Sequence, residues 1–134
     1  MLVDGRLDKN YGPVFRNGVR NGVYKMDLGE TKRVTAVSGW SFNQNGNRGA
    51  QKLTIYGSNS ATDPGWNLSD RVRFLPVGSV DTSGTTIGPF NATSVRARGG
   101  QDLGEFRWIL WSVAPVTQLG ENTAFQELVT EVAE

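Results

Sequence analysis

The chain has 134 residues, of which 37% are hydrophobic and 20% charged, so it can build the core of one domain and does not resemble a disordered tail. No apolar run approaches the roughly 18 residues that a membrane span needs, and Met1 to Arg6 show no signal-peptide pattern. The net charge of +1, with no clustered basic run, argues against nucleic acid as a partner. Because Cys and His are both absent, disulfides, Ser-His-Asp or Cys-His catalysis and the common zinc sites are excluded. A non-catalytic binding module is therefore favoured over an enzyme.

The predicted elements are short β-strands. Seventeen glycines, with frequent Asn, Asp, Ser and Thr, divide the sequence into closely spaced pieces, which is typical of an all-β sandwich or barrel. Alternation predicts Tyr24, Met26 and Leu28 on one face of a first strand that Gly29 and Glu30 end. The strands are predicted, in chain order, at residues 23–28, 34–42, 51–56, 74–77, 93–98, 106–113 and 124–132.

Three of these predicted strands carry further information. Pro76 makes the strand at 74–77 an edge strand or a bulge, because proline cannot donate to a ladder. Residues 106–113 are apolar on both faces, as in a central strand, with Trp108 and Trp111 on opposite sides. The last strand is predicted to place in the core Phe125, Leu128 and Val132. Helical structure is limited to one possible turn near residues 67–70.

The order of several short motifs resembles a known family. They read VDG at 3–5, YKMDLG at 24–29, RGAQKLTIYGS at 48–58, VGSVDT at 77–82, FRWIL at 106–110 and NTAFQE at 122–127, with Trp66 between the third and fourth. In this order they are similar to the discoidin-like, coagulation factor 5/8 type C domains, a group of galactose-binding-like jelly rolls that includes bacterial carbohydrate-binding modules. The resemblance implies one jelly-roll β-sandwich of two antiparallel sheets over residues 1–134.

The chain departs from the family pattern at its beginning. Family members have a strand or two before the DG loop, whereas here that loop comes at Asp4 and Gly5. We expect either a trimmed domain or a naturally short variant. A missing strand would leave a sheet edge open to pairing with another chain.

Residues 40–48 are the first predicted ligand site. They hold two aromatic rings, four amides and one guanidinium. Sugars stack an apolar face on an aromatic ring and bond their hydroxyls to amides and guanidinium groups. The predicted ligand-binding residues of this loop are Trp40, Phe42, Asn43, Asn45, Asn47 and Arg48. The alternative is a solvated polar turn with Trp40 in the core.

The resemblance adds a spacing argument. Sugar-binding relatives have a His and an Arg about five residues apart in this loop, and Asn43 and Arg48 have that spacing with Asn in place of His. The replacement weakens any transfer of a galactose preference. Trp66 is a further candidate, as a stacking platform in a turn-rich loop or as a cap on the end of the sandwich.

The resemblance also implies a structural calcium ion. Many relatives bind calcium with the DG loop and a Glu on the closing strand, and the matching positions are Asp4, Asp8 and Glu127. Hard cations of this kind take six to eight oxygen ligands. The alternative is an Asx-turn at Asp4 and an ion pair between Glu127 and either Arg6 or Arg16.

Two charged sets have simpler interpretations. Asp102 and Glu105 flank a turn and are predicted to be solubilising, not catalytic. Four arginines could form a strip for an acidic polysaccharide or, as we favour, the polar outer face of neighbouring strands: Arg71, Arg73, Arg96 and Arg98.

Together these observations predict a carbohydrate-binding, lectin-like module of an extracellular bacterial protein. Its partner would be a carbohydrate or polysaccharide held by loops at one end of the sandwich. The alternative is a structural or assembly domain that binds other domains or itself, with no sugar site.

Overall fold

The computed structural model describes residues 21–42, 51–82, 90–115 and 125–134, and within them the protein is built almost entirely from antiparallel strands. The strands are β1 (Gly22–Phe42), β2 (Gln51–Ser58), β3 (Leu75–Asp81), β4 (Phe90–Arg96), β5 (Gly104–Pro115) and β6 (Phe125–Val132). A 3-10 turn at Arg98–Gly100 precedes β5. Among these described segments there is no helix long and apolar enough to cross a membrane.

Strand β1 takes part in two layers. Its first half pairs with β5, from Gly22 opposite Val113 to Val34 opposite Gly104. Its second half has β4 on one side and β6 on the other. The strands are hydrogen-bonded in the order β3-β2-β5-β1-β4, with β6 also on β1. Because β1 changes partners along its length, it passes from a first sheet, β3-β2-β5-β1, into a second, β4-β1-β6.

A bulge lets β1 continue past the point where a strand end was predicted. The register against β5 shifts between Asp27 and Lys32. Gly29 has φ of +84°, which glycine adopts without the steric cost that a side chain brings, and its N–H donates to Asp27 Oδ1 at 2.8 Å. The prediction that Gly29 and Glu30 end the strand is wrong, because this local hydrogen bond supports a bulge instead of a turn.

The main core lies between the two sheets. The first sheet contributes Tyr24, Ile55 and Trp111, and the second contributes Val37, Val95, Phe125 and Leu128. The rings of Tyr24 and Phe125 meet edge to face with centroids 5.8 Å apart, which shows the two layers in direct contact. Burial raises the pKa of Tyr24 to about 12, because its ionised form would lose water.

A second, smaller core covers the outer face of the first sheet. Trp108 and Leu110 of β5 point away from the main core and pack with Phe74, which ends the loop of residues 59–74. Partly buried side chains border this cluster: Val23, Tyr56 and Leu68. Both faces of β5 are thus covered, and Trp108 and Trp111 lie on opposite sides as the sequence predicted.

Other predictions meet mixed outcomes. Strand β3 lies at the edge of its sheet, and Pro76 sits beside a register shift between Ile55 and Tyr56, so both expectations for this proline are confirmed. Phe125 and Leu128 are buried, but Val132 is 41% exposed at the end of β6, so its predicted core position is wrong.

Candidate functional site

Trp66 is an exposed aromatic side chain on the loop of residues 59–74. Its exposed fraction is 58%, unusual beside Trp108 and Trp111 at 8% and 1%. The ammonium of Lys25 lies 3.9 Å from the centroid of the Trp66 ring and so holds the ring from the side of the sheet. The indole is therefore presented to solvent in a defined orientation.

The Lys25 ammonium is enclosed by three partners. It pairs with the carboxylate of Asp63, and it lies 5.6 Å from the ring centroid of Trp108 as well as over Trp66. Only 8% of the Lys25 side chain is exposed. A nearly buried ammonium is costly unless it is paired, so this charge binds the loop to the strand beneath it.

Arg107 fastens the beginning of the same loop. It donates to Asp27 through two nitrogens, Nε to Oδ1 at 2.9 Å and Nη2 to Oδ2 at 3.0 Å. Its third nitrogen, Nη1, donates to the carbonyl of Ala61 at 2.5 Å. A forked guanidinium fixes both partners at once, which a lysine could not do.

Two further side chains form hydrogen bonds that link residues 59 and 60 to β5. Asn59 donates through Nδ2 to the carbonyl of Glu105 at 2.6 Å and accepts from the N–H of Arg107 at 3.1 Å. Trp108 Nε1 donates to the carbonyl of Ser60 at 2.8 Å. The loop that carries Trp66 is thus held by hydrogen bonds as well as by the small core below it.

The hydrogen bonds of this network favour the ionised forms of Asp27, Asp63 and Arg107. The hydrogen bond from Lys25, helped by the N–H of Gly65, lowers the pKa of Asp63 below its usual range. The hydrogen bonds with Arg107 lower the pKa of Asp27 and raise that of Arg107. At neutral pH both carboxylates are ionised and keep the loop attached.

The predicted site at residues 40–48 lies elsewhere. Alternation places Trp40 on the outer face of the second sheet, because Val37 is in the core and a side chain at Gly39 would meet Leu128 at 3.1 Å. Trp40 is half-buried, and Trp66 lies over the outer face of the first sheet, so the structure does not bring these two rings together. The structure does not describe the other predicted residues of this site. These are the side chain of Phe42 and all of Asn43, Asn45, Asn47 and Arg48.

Several strands meet at the end where residues 40–42 lie. A small cavity there is lined by one residue of each of β1, β2, β3, β4 and β6 and by Thr82, which follows β3: Ser41, Leu53, Val80, Thr82, Thr93 and Phe125. The strand ends that flank residues 43–50, 83–89 and 116–124 therefore emerge close together.

Glu127 is the one predicted metal ligand inside the described residues. It lies opposite Trp40, is 5% exposed, and its Oε2 has no hydrogen-bond partner. The described segments contain no cluster of three carboxylate, His or Cys groups, and the other predicted ligands, Asp4 and Asp8, lie outside them. A buried carboxylate with an unbonded oxygen fits one ligand of a hard cation.

Sequence reasoning missed the residues that support Trp66. Lys25 and Asp63 are 38 positions apart and Asp27 and Arg107 are 80 apart, so no local pattern joins them. The available signal was the alternation of residues 23–28, which places Lys25 and Asp27 on the face opposite to Tyr24 and Met26. From sequence alone that face is predicted to be exposed to solvent, because the pattern does not show that the loop of residues 59–74 covers it.

The fold has counterparts among solved structures, although no protein-family model and no curated protein matches the sequence. A Ruminococcus gnavus GH29 fucosidase, a mutant in complex with fucose, matches with a TM-score of 0.67 at 18% identity over 99% of this chain and 22% of that one. A second structure of the fucosidase gives 0.61 at 18% identity over 90% and 20%. This chain thus spans about a fifth of the fucosidase.

A smaller counterpart is covered over most of its length. CBM32-1 from a family 31 glycoside hydrolase of Clostridium perfringens matches with a TM-score of 0.55 at 16% identity, over 87% of this chain and 73% of that one. The layers, the antiparallel pairing and these matches agree with the resemblance found in the sequence. The chain has the same discoidin-like jelly-roll fold as CBM32-1.

Proposed function

We propose that this protein is a non-catalytic carbohydrate-binding module. The observation that carries the proposal is the Trp66 indole, 58% exposed and held from below by Lys25, on a fold shared with CBM32-1. An exposed ring costs the folded protein the stabilisation that burial of this side chain would bring. Holding it rigidly also limits the entropy lost when a ligand binds.

The chemistry of sugars suits this ring. One face of a pyranose presents C–H groups, which carry partial positive charge and are attracted to the negative face of an indole. Lys25 occupies the sheet side of Trp66, so a sugar would stack on the side that faces solvent.

The loop of residues 40–48 is the second part of the proposal. Phe42, Asn43, Asn45, Asn47 and Arg48 offer the ring, amides and guanidinium that bond sugar hydroxyls, and Trp40 stands at the strand end that leads into them. Trp40 and Trp66 lie over different sheets, so we propose two glycan contacts in place of one continuous pocket.

We also propose that calcium stabilises the domain through Glu127, with Asp4 and Asp8 as further ligands. The buried, unbonded Oε2 of Glu127 supports this assignment. The ion would fix the backbone around its ligands and would take no part in catalysis. As in other modules of glycoside hydrolases, the site of action is proposed to be extracellular, in a bacterial protein with further domains.

The test is calorimetric titration with a panel of neutral and acidic oligosaccharides that includes fucose, in calcium and in EDTA. Trp66→Ala should weaken binding roughly tenfold, the equivalent of one good aromatic contact. Val132→Ala is the matched control, because Val132 is also an exposed apolar side chain, at 41%, but lies on β6. Arg48→Ala reports separately on the loop of residues 40–48.

The outcomes separate the possibilities. If Arg48→Ala abolishes binding and Trp66→Ala has no effect, the Trp66 contact is wrong. If the wild-type protein binds no glycan in the panel, the proposal is overturned. Light scattering should then look for the oligomers expected of an assembly domain.

A further inference from the structure

A groove lies beside the loop of residues 59–74, at the edge of the first sheet. It has a volume of about 380 Å³, within the range of small-molecule sites. Its walls come from the end of β2, from residues 71–75 and from the beginning of β5. The lining residues are Gly57, Ser58, Asn59, Arg71, Val72, Arg73, Leu75, Gly104, Glu105 and Phe106.

The base of the groove is closely packed. A Cβ atom on Gly57 would come within 2.3 Å of the Phe106 ring, and one on Gly104 within 2.6 Å. Phe106 itself is 4% exposed. The two glycines let the ring lie against the backbone on both sides, so the groove has a rigid floor and its charged side chains stand on fixed strands and a pinned loop.

Arg71 is distinctive among the cations. The described segments contain nine Lys and Arg side chains. Seven of them form ion pairs with Asp or Glu, and Arg71 and Arg98 form none. The Arg71 guanidinium lies 5.7 Å from the ring centroid of Tyr56, which orients it without neutralising it. Arg73 stands in the same wall, 3.5 Å from Asp70 and 62% exposed.

The remaining lining groups include a carboxylate and two apolar side chains. Glu105 is exposed, has no ion-pair partner among the described residues, and contributes only its carbonyl to Asn59. Val72 is 97% exposed and Leu75 57%. The groove therefore combines guanidinium groups, one carboxylate acceptor and an apolar surface.

We propose that this groove binds a carboxylated sugar, such as a uronic acid residue, and that Arg71 determines this specificity. Arg71, with Arg73 beside it, bonds the sugar carboxylate, for which a planar guanidinium is the best protein partner. Glu105 accepts hydrogen bonds from sugar hydroxyls, and Val72 and Leu75 contact the C–H face. This inference deepens the proposed function and rests on it, since it names the ligand class.

The experiment compares an oligogalacturonide with its neutral methyl ester in calorimetric titrations at low and moderate salt. The wild-type protein should bind the acid about tenfold more tightly. Arg71→Ala should remove this preference, by weakening binding of the acid about tenfold and binding of the neutral ester much less. Arg71→Lys should restore only part of it, because a lysine keeps the charge and loses the bidentate geometry.

Arg98→Ala is the matched control. Arg98 is exposed and lacks an ion pair among the described residues, as Arg71 does, but it does not line the groove. It should therefore keep the preference for the acid. If Arg98→Ala reduces that preference as much as Arg71→Ala does, only long-range attraction is at work and the groove site is wrong.

The two proposals fail in different ways. Equal binding of the acid and the ester by the wild-type protein overturns the groove assignment and leaves the carbohydrate-binding function standing. Binding of neither, together with none in the wider panel, overturns both. Trp66→Ala should weaken binding of the acid and of the ester by the same factor, because stacking on an indole does not depend on the carboxylate.

Discussion

The outer faces of the two sheets are built on different principles. Over the first sheet, the loop of residues 59–74 adds a small apolar core around Phe74 and Trp108, and the charges of Lys25 and Arg107 beneath it are paired with carboxylates. Over the second sheet, Ser38 bonds Ser94 at 2.9 Å, and Glu127 is buried with an unbonded oxygen. The paired charges of the first face hold the exposed Trp66 ring in place, whereas the unbonded oxygen of Glu127 on the second face supports the proposed calcium ligand.

The largest expected effect comes from breaking the first face. Phe74→Ala removes a ring that is 1% exposed and should lower the free energy of unfolding by about 3–5 kcal/mol, through lost burial and the cavity left behind. Urea denaturation measures it. Leu75→Ala, at an adjacent position that is 57% exposed, should cost far less. Equal costs would show that the second core contributes little to stability.

A smaller change in stability is expected at the second face, from replacing Glu127. In EDTA, Glu127→Gln should be more stable than the wild-type protein by about 1–3 kcal/mol, because a carboxylate with an unbonded buried oxygen is replaced by a neutral amide. In excess calcium the order should reverse, since binding to the folded state stabilises only the protein that has the ligand. Thermal melts in both conditions test this. A wild-type melt that calcium does not shift would contradict the metal assignment.

The smallest effect is a pH dependence confined to the first face. The pKa of Asp63 and that of Asp27 are lowered in the folded state, so their stabilisation is complete above about pH 4, the unfolded value, and is lost as the pH falls through the folded values. Acid should therefore loosen the loop before the sandwich unfolds. Acrylamide quenching of Trp66, taken as the difference from Trp66→Phe, should rise below that pH.

A matched pair of variants checks this interpretation. Asp63→Asn should show high quenching of Trp66 already at neutral pH. Glu30→Gln should leave the profile unchanged, because the pKa of Glu30 is also lowered, but by Lys32, which is not part of the Trp66 network. A profile that Asp63→Asn does not alter would mean that Lys25 and Asp63 do not hold the loop.

The predictions from sequence succeeded where a rule acts over a few residues. Alternation placed Trp108 and Trp111 on opposite faces, and the missing N–H of Pro76 marked an edge strand. The order of motifs indicated the fold because each motif reflects a strand or a turn with its own local requirement. The prediction of a core position for Val132 failed, because alternation cannot show that a strand continues beyond the end of the core.

The candidate site was less accessible for a physical reason. Trp66 was identified by its residue type, but its support comes from Lys25, Asp63 and Arg107, which only the folded chain brings together. The groove likewise joins residues near 57, 72 and 105. The continuation of β1 past Gly29 depends on pairing with β5, and sequence alone does not contain that tertiary preference.

The double membership of β1 has a consequence for synthesis of the protein. Val34 pairs with Gly104 in one layer and with Val132 of the last strand in the other. The β4-β1-β6 layer cannot close while β6 is still inside the exit tunnel, so the sandwich cannot be completed strand by strand as the chain emerges. Contacts between such distant residues also make folding slow. We therefore expect the second layer to form only once β6 has cleared the exit tunnel.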